Sequence, residues 1–174
     1  MAVKFIDNSI EVKAVLNDVT IAKLYEAANA VASHAKRNCT MRSEDSGRLA
    51  ESYRADVDEG AGKAQIGTPM EEGFWEEFGT GMHADTKKNG GKPGRGGWWI
   101  YTPDSEGPDG YKSNVYRTKE EAEEMAAYIR KRYGHEAVVT NGRKPNYTLE
   151  KAFTANEPKI KKLFENGLKE ELGT

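Results

Sequence analysis

Two hydrophobic periods alternate along this chain of 174 residues, one helical and one strand-like, which predicts a single domain of mixed helices and antiparallel strands. Three observations carry that expectation. Ile21, Leu24, Ala28, Val31 and Ala35 recur at helical spacing. Tyr53, Ala55 and Val57, then Ala64 and Ile66, alternate with polar residues on either side of a glycine-containing loop. Thr118 to Gly134 opens on a capping box and closes on a glycine. A hydrophobic share of 37 % supports one real core at this length, and the 31 % of charged residues then describes a very polar surface.

The first residues, Met1 to Lys13, alternate about an Asp-Asn turn, with Val3 and Phe5 before it and Ile10 and Val12 after it, as a small hairpin does. A helix is predicted from Asp18 to about Cys39, capped by Asp18 or Asn17, with Lys36 and Arg37 at the negative end of its dipole. Ser43 to Gly47 reads as a turn into the two strands. Glu71 to Phe78 has room for two helical turns, placing Phe74, Trp75 and Phe78 at i, i+1 and i+4 before the stop at Gly79. Gly81 to Tyr116 is rich in loop residues, with a strand expected at Trp98 to Tyr101.

The helix from Thr118 to Tyr133 has the expected apolar stripe Ala122, Met125, Ile129 and Tyr133, and Gly134 ends it. "EAVVT" follows as a strand. From Tyr147 a helix with Leu149, Ala152 and Phe153 inside is expected to give way to a second piece carrying Ile160, Leu163, Phe164 and Leu168. Asn156 caps that piece and Pro158 sits in its first turn.

Charge and motif spacing exclude several chemistries. A net charge of -2 supplies no overall basic field for nucleic acid. The lone Cys39 makes no internal disulfide and fits a buried thiol in a reducing cytoplasm. No signal-peptide run or membrane span is evident, so a soluble intracellular product is expected. Gly91-Lys92 is followed by Pro93, which removes a backbone donor where a phosphate loop needs one, and "GRGGWW" lacks the strand-to-helix passage of a dinucleotide fingerprint. His34, His83 and His135 share no metal-ligand spacing, and neither a "GxSxG" elbow nor a distinctive cysteine context occurs. Neighbours Glu76 and Glu77 point about 100° apart on a helix, so they form no facing acid pair. No catalysis, cofactor or metal is expected.

Two charge clusters remain. Glu71, Glu72, Glu76 and Glu77 make an acidic helix, with Glu76 and Glu77 expected to face solvent. Lys87, Lys88, Lys92 and Arg95 lie on a glycine-rich arm. The two clusters can meet within one chain or across two copies, where complementarity sets register. Alternatively the arm, with Trp98, Trp99 and Tyr101 nearby, forms a nucleic-acid-binding module. Strand alternation opposes that alternative in part, since it sends Trp98 and Ile100 to one face and Trp99 and Tyr101 to the other, so one aromatic pair belongs to a core.

A helix ending in "AKRNCTMRSEDSGRLAESYRADV", a hairpin ending in "AQIGT", then "FWEEFGT", a loop, and "GRKPNYTLEKAFTAN" before a charged last helix form a recognisable series. Their order resembles the head-tail joining and tail-completion proteins of long-tailed bacteriophages. The matching positions are Ser46, Gly47, Arg48, Leu49 and Ser52 in the first motif, Glu77, Gly79 and Thr80 in the second, and Pro145, Tyr147, Leu149 and Ala152 in the third. The chain departs from the pattern where the usual proline before the hairpin's glycine is missing, where Phe74 or Trp75 replaces a tyrosine, and where the third motif lacks its second proline.

The resemblance implies an α+β fold, with an antiparallel β-sheet packed against a long N-terminal helix and a C-terminal helix. It covers most of the chain but leaves out about Gly90 to Asn141, and implies one domain over residues 1–174 with a long loop and an extra helix inserted at about 85–142. It also implies a homo-oligomeric ring in the virion, at the neck or tail end, whose partners are head connector proteins and tail tube or terminator proteins. The ring would form in the host cytoplasm during assembly, with no membrane partner and with DNA passing through the channel within reach of the basic arm.

Overall fold

The computed structural model describes residues 9–39, 46–91, 94–103, 111–112 and 115–172. The fold is α+β: a long N-terminal helix, α1 (Ser9–Asn38), and a long C-terminal helix, α5 (Thr148–Leu172), pack together, and α1 also packs on a small two-stranded antiparallel sheet. Between them run α2 (Ser46–Ser52), β1 (Arg54–Asp58), β2 (Lys63–Gly67), α3 (Glu71–Phe78), β3 (Trp99–Thr102), β4 (Tyr111–Lys112), α4 (Lys119–Tyr133) and β5 (Val138–Thr140). The chain divides into two compact units, one formed by 1–73 with 147–174 and the other by 74–146.

In the first unit, α1 presents small residues to its core: Ala27, Ala28, Val31, Ala32 and Ala35 are all buried. Such side chains let two helix backbones approach closely. α5 meets this face with Ala152, and at Gly167 an added Cβ would lie 2.9 Å from the Lys23 side chain. A polar contact joins the two helices as well, between Asn156 Nδ2 and His34 Nδ1 at 2.9 Å. The core of Val31, Ala35, Leu49, Tyr53 and Ala152 is completed by half-buried Cys39, Ile66, Met70, Leu149 and Ile160. Strands β1 and β2 pair antiparallel with Ala55 opposite Ile66 and Val57 opposite Ala64, as the alternation predicts. Their turn is closed by Asp58, whose Oδ1 accepts from Ala61 N at 2.9 Å, and by Gly62 at φ 60°.

Three expectations for this unit are corrected. α1 begins at Ser9, so Ile10 and Val12 belong to a helix and not to the second strand of a hairpin, while Val3, Phe5 and the Asp-Asn turn lie outside the described residues. Short alternation cannot be told from the start of a helix once a long helix extends through it. Ser46 and Gly47, expected in a turn, open α2, which ends in Ser52 Oγ donating to Leu49 O at 2.6 Å. α5 is one helix with Pro158 inside it. Asn156 caps nothing: its buried amide donates to Ala152 O at 2.7 Å, one turn back. Packing along α1 carries the helix through a residue that local propensity would use as a stop.

In the second unit β3 is central, in the order β4-β3-β5 and antiparallel throughout, with Ile100 opposite Val139 and Tyr101 opposite Lys112. Its core is Ile100, Ala122, Ala126 and Ala137, with Trp98, Tyr116, Ile129 and Val139 packed against it. α4 is bounded as expected: Thr118 accepts from Glu121 N at 3.2 Å, and Gly134 adopts φ 74° at the other end. Glu121 Oε2 accepts from Arg117 N at 3.2 Å rather than from the cap residue itself. The buried stripe of α4 differs from the expected one. Ala122, Ala126 and Ile129 face the sheet, whereas Met125 and Tyr133 are exposed. Alanine, small enough to bring the helix onto the strands, takes the place assigned to the larger side chains.

Candidate functional site

The segment that begins in α3 and continues through Gly79, Thr80 and Gly81 runs antiparallel to residues 141–146. α3 ends because Gly79 turns left-handed, at φ 74°, with its N–H on Trp75 O at 2.8 Å. The chain that emerges is then stitched to the other segment. Asn146 N donates to Glu76 O at 2.9 Å, Thr80 N to Arg143 O at 2.8 Å, Arg143 N to Thr80 Oγ1 at 3.0 Å and Met82 N to Asn141 O at 2.8 Å.

Glycines make so close an approach possible. A Cβ on Gly79 would stand 2.6 Å from Arg143 O and 2.8 Å from Pro145 N; one on Gly81 would stand 2.2 Å from Asn141 O. Gly142, at φ 117°, would meet Thr80 O at 2.1 Å. "FGTG" and "NGRKPN" are thus two halves of one junction, although more than fifty residues separate them in sequence.

At its centre is Glu76, fully buried. Arg143 Nη2 stands 2.9 Å from its Oε2, and Asn146 Nδ2 donates to its Oε1 at 2.8 Å. A carboxylate withdrawn from water needs such partners, here an ion pair at one oxygen and a hydrogen bond at the other. Glu77 is also buried, at 7 % exposure. The expectation that Glu76 and Glu77 face solvent is therefore overturned: Arg143 and Asn146 draw Glu76 into the junction, Glu77 is buried beside it in sequence, and the four glutamates do not form one surface patch. Of the four, Glu71 is exposed and Glu72 half-buried.

The basic residues are placed differently. Asp85 organises the turn that carries them, its Oδ1 accepting from Lys87 N at 3.1 Å and Lys88 N at 3.3 Å, and its own N–H donating to Phe78 O at 2.8 Å. Lys87 and Lys88 are exposed on this turn, and Arg95, also exposed, lies over the Trp99 ring at 5.2 Å. Lys92 lies outside the described residues. The arm returns against the junction at Gly94, which contacts Gly81 so closely that a Cβ there would lie 1.8 Å from Gly81 O. Trp99 is 7 % exposed and Trp98 packs on the second core, so these rings serve the interior. Phe74 and Phe78 are half-buried and pack at a tilt of 58° with ring centroids 5.0 Å apart.

In the first motif, Leu49 is a core residue, Ser52 pairs with Thr68 Oγ1, and Gly47 and Arg48 are exposed; the side chain of Ser46 lies outside the described residues. In the third, Leu149 and Ala152 join the first core, and Tyr147 has φ 52°, the one non-glycine among the described residues in that region. Arg143 and Asn146 went unrecognised in the sequence although they lie within the quoted "GRKPNY". Their signal is tertiary, since a guanidinium in a loop acquires meaning only once a buried carboxylate is placed beside it.

His83 Nε2 lies 3.2 Å from Asn141 Oδ1. Among the described residues no group of three or more His, Cys, Asp or Glu could hold a metal, and no helix is long and apolar enough to cross a membrane. What the junction does chemically is to lock backbone to backbone around a neutralised carboxylate. Comparison with protein-family models, with curated proteins and with solved structures found no match to this chain.

Proposed function

We propose that this chain is a structural virion protein of a long-tailed bacteriophage, forming a homo-oligomeric ring at the neck or tail end that joins the tail tube to the head connector. The supporting observation is the junction itself. The "FWEEFGT" and "GRKPNY" segments, which carry the resemblance to the tail-completion family, are held together by two backbone–backbone hydrogen bonds, by a third from Arg143 N to the Thr80 hydroxyl, and by glycine contacts that admit no side chain. Motif residues in this role preserve a shape, as a part that must fit its neighbours requires, and none is placed to transform a substrate.

A head-to-tail ring uses two different patches of each subunit. Glu71 and the exposed Lys87, Lys88 and Arg95 are the candidates for charged contacts across it, since Glu76 is neutralised internally. Electron microscopy of particles assembled without the protein tests the role. DNA-filled heads separate from finished tails are expected; heads that still couple to tails refute it. Reversing Lys87, Lys88, Lys92 and Arg95 is expected to lower ring or particle yield while the monomer stays folded.

A further inference from the structure

One stripe of α4 reads acid, apolar, apolar, base. Glu121, Met125, Tyr128 and Arg132 are spaced by four, three and four residues, the spacing that lines side chains into a single seam on a helix. All four are exposed, Met125 at 40 % and Tyr128 at 52 %. The face that packs on the sheet is a different one, formed by Ala122, Ala126 and Ile129. The charges that pair within the helix form another: Glu123 lies 3.9 Å from Lys119 and 3.9 Å from Arg130. Exposed Glu124 and Lys131 flank the seam with the same order of signs.

Such a stripe is complementary to itself when reversed. We propose that α4 is a pairing surface for a second copy of this chain, the two helices lying antiparallel across a two-fold axis between positions 126 and 127. Glu121 then opposes Arg132 of the other copy, and Met125 opposes its Tyr128; the two-fold repeats both contacts. Both pairs are centred on that axis, which falls close to the middle of Lys119–Tyr133, so the helices overlap over nearly their whole length of about 22 Å. In a parallel arrangement acid would face acid. Antiparallel order removes that repulsion and covers two large apolar side chains from each copy.

The seam is smaller than a standard interface of about 20–30 residues a side, so pairing of the free chain is weak and concentration-dependent. It does not rest on the virion role proposed above, because it concerns the purified chain alone.

Sedimentation equilibrium of the full chain tests it with Glu121→Arg, Arg132→Glu and their equimolar mixture. Each single variant opposes like charges twice in its own dimer, and is expected to associate on the order of tenfold more weakly than the wild type. In the mixed dimer both oppositions become attractive, so the mixture is expected to recover wild-type association. Circular dichroism checks that α4 persists without the Glu121 contact to Arg117. A second readout leaves Glu121 in place: Met125→Cys mixed with Tyr128→Cys, both in a Cys39→Ser background, is expected to give the oxidised heterodimer in excess of either homodimer. A wild-type chain still monomeric at about 1 mM, a charge mixture no stronger than its components, or cross-linking without preference for the heterodimer overturns the pairing.

Discussion

Replacing Arg143 with alanine strips the buried Glu76 carboxylate of its cation. Glu76 is fully buried while the Arg143 side chain is 35 % exposed, so the cost falls below that of breaking a wholly buried pair and above that of a surface pair. About 2–3 kcal/mol is expected, with Asn146 still bonded to Oε1. Glu76→Gln is milder, about 1 kcal/mol, because the released guanidinium can reach water and an amide oxygen can still accept from Asn146. The double substitution should cost less than the two singles added, by about 1 kcal/mol or more. Urea unfolding followed by tryptophan fluorescence measures this, since Trp75, Trp98 and Trp99, the only tryptophans of the chain, all lie within 74–146. Amide exchange at Thr80, Met82 and Asn146 should quicken in parallel. An Arg143→Ala variant within about 0.5 kcal/mol of the wild type, or an additive cycle, refutes the junction as a coupled unit.

Gly79 and Gly134 share φ 74°, but a Cβ on Gly134 meets nothing within 4 Å whereas one on Gly79 meets Arg143 O and Pro145. Gly134→Ala should cost about 1 kcal/mol from backbone conformation alone, and Gly79→Ala about 3 kcal/mol or more, in the same urea assay. Tyr147→Pro places a proline where position 147 has φ 52°, whereas proline is held near -65°. Circular dichroism and thermal melting should show a loss of about 3 kcal/mol or more at the start of α5; an unchanged melting temperature would contradict this geometry. Tyr25 donates to Glu59 Oε1 at 2.9 Å, and that hydrogen bond, more than desolvation or the charges of Glu59 and Asp56, raises its phenol above the usual 10.0. The tie is present below the unfolded-state value and is lost as pH rises through the raised one. Glu59→Gln should bring the ultraviolet titration of Tyr25 downward.

Elements bounded by local chemistry were legible in the sequence. Thr118 and Gly134 delimit α4 through a side-chain oxygen and a left-handed glycine, and Gly79 ends α3 in the same manner. The hairpin of β1 and β2 follows from alternation and its Asp-and-glycine turn. Where neighbours decide, local signals misled. Met125 is a better core residue than Ala126 by hydrophobicity, but the close approach of α4 to its sheet selects the alanine. Asn156 and Pro158 have the form of a helix start, yet a long partner helix keeps α5 continuous. The burial of Glu76 and Glu77 contradicts every compositional expectation for glutamate.

By itself the sequence determined the α+β class, the body of the N-terminal helix, the hairpin of β1 and β2 and the capped α4, because hydrogen-bond caps, glycine turns and hydrophobic periods act over a few residues; the early start of α1 and the continuity of α5 were decided by packing. Only the tertiary structure decided which carboxylates are surface charges and which are buried partners, and that "FGTG" and "NGRKPN" form one junction. Those outcomes depend on groups more than fifty residues apart being brought within hydrogen-bonding distance, where withdrawal from water makes an unpaired charge costly and a glycine the only residue that fits.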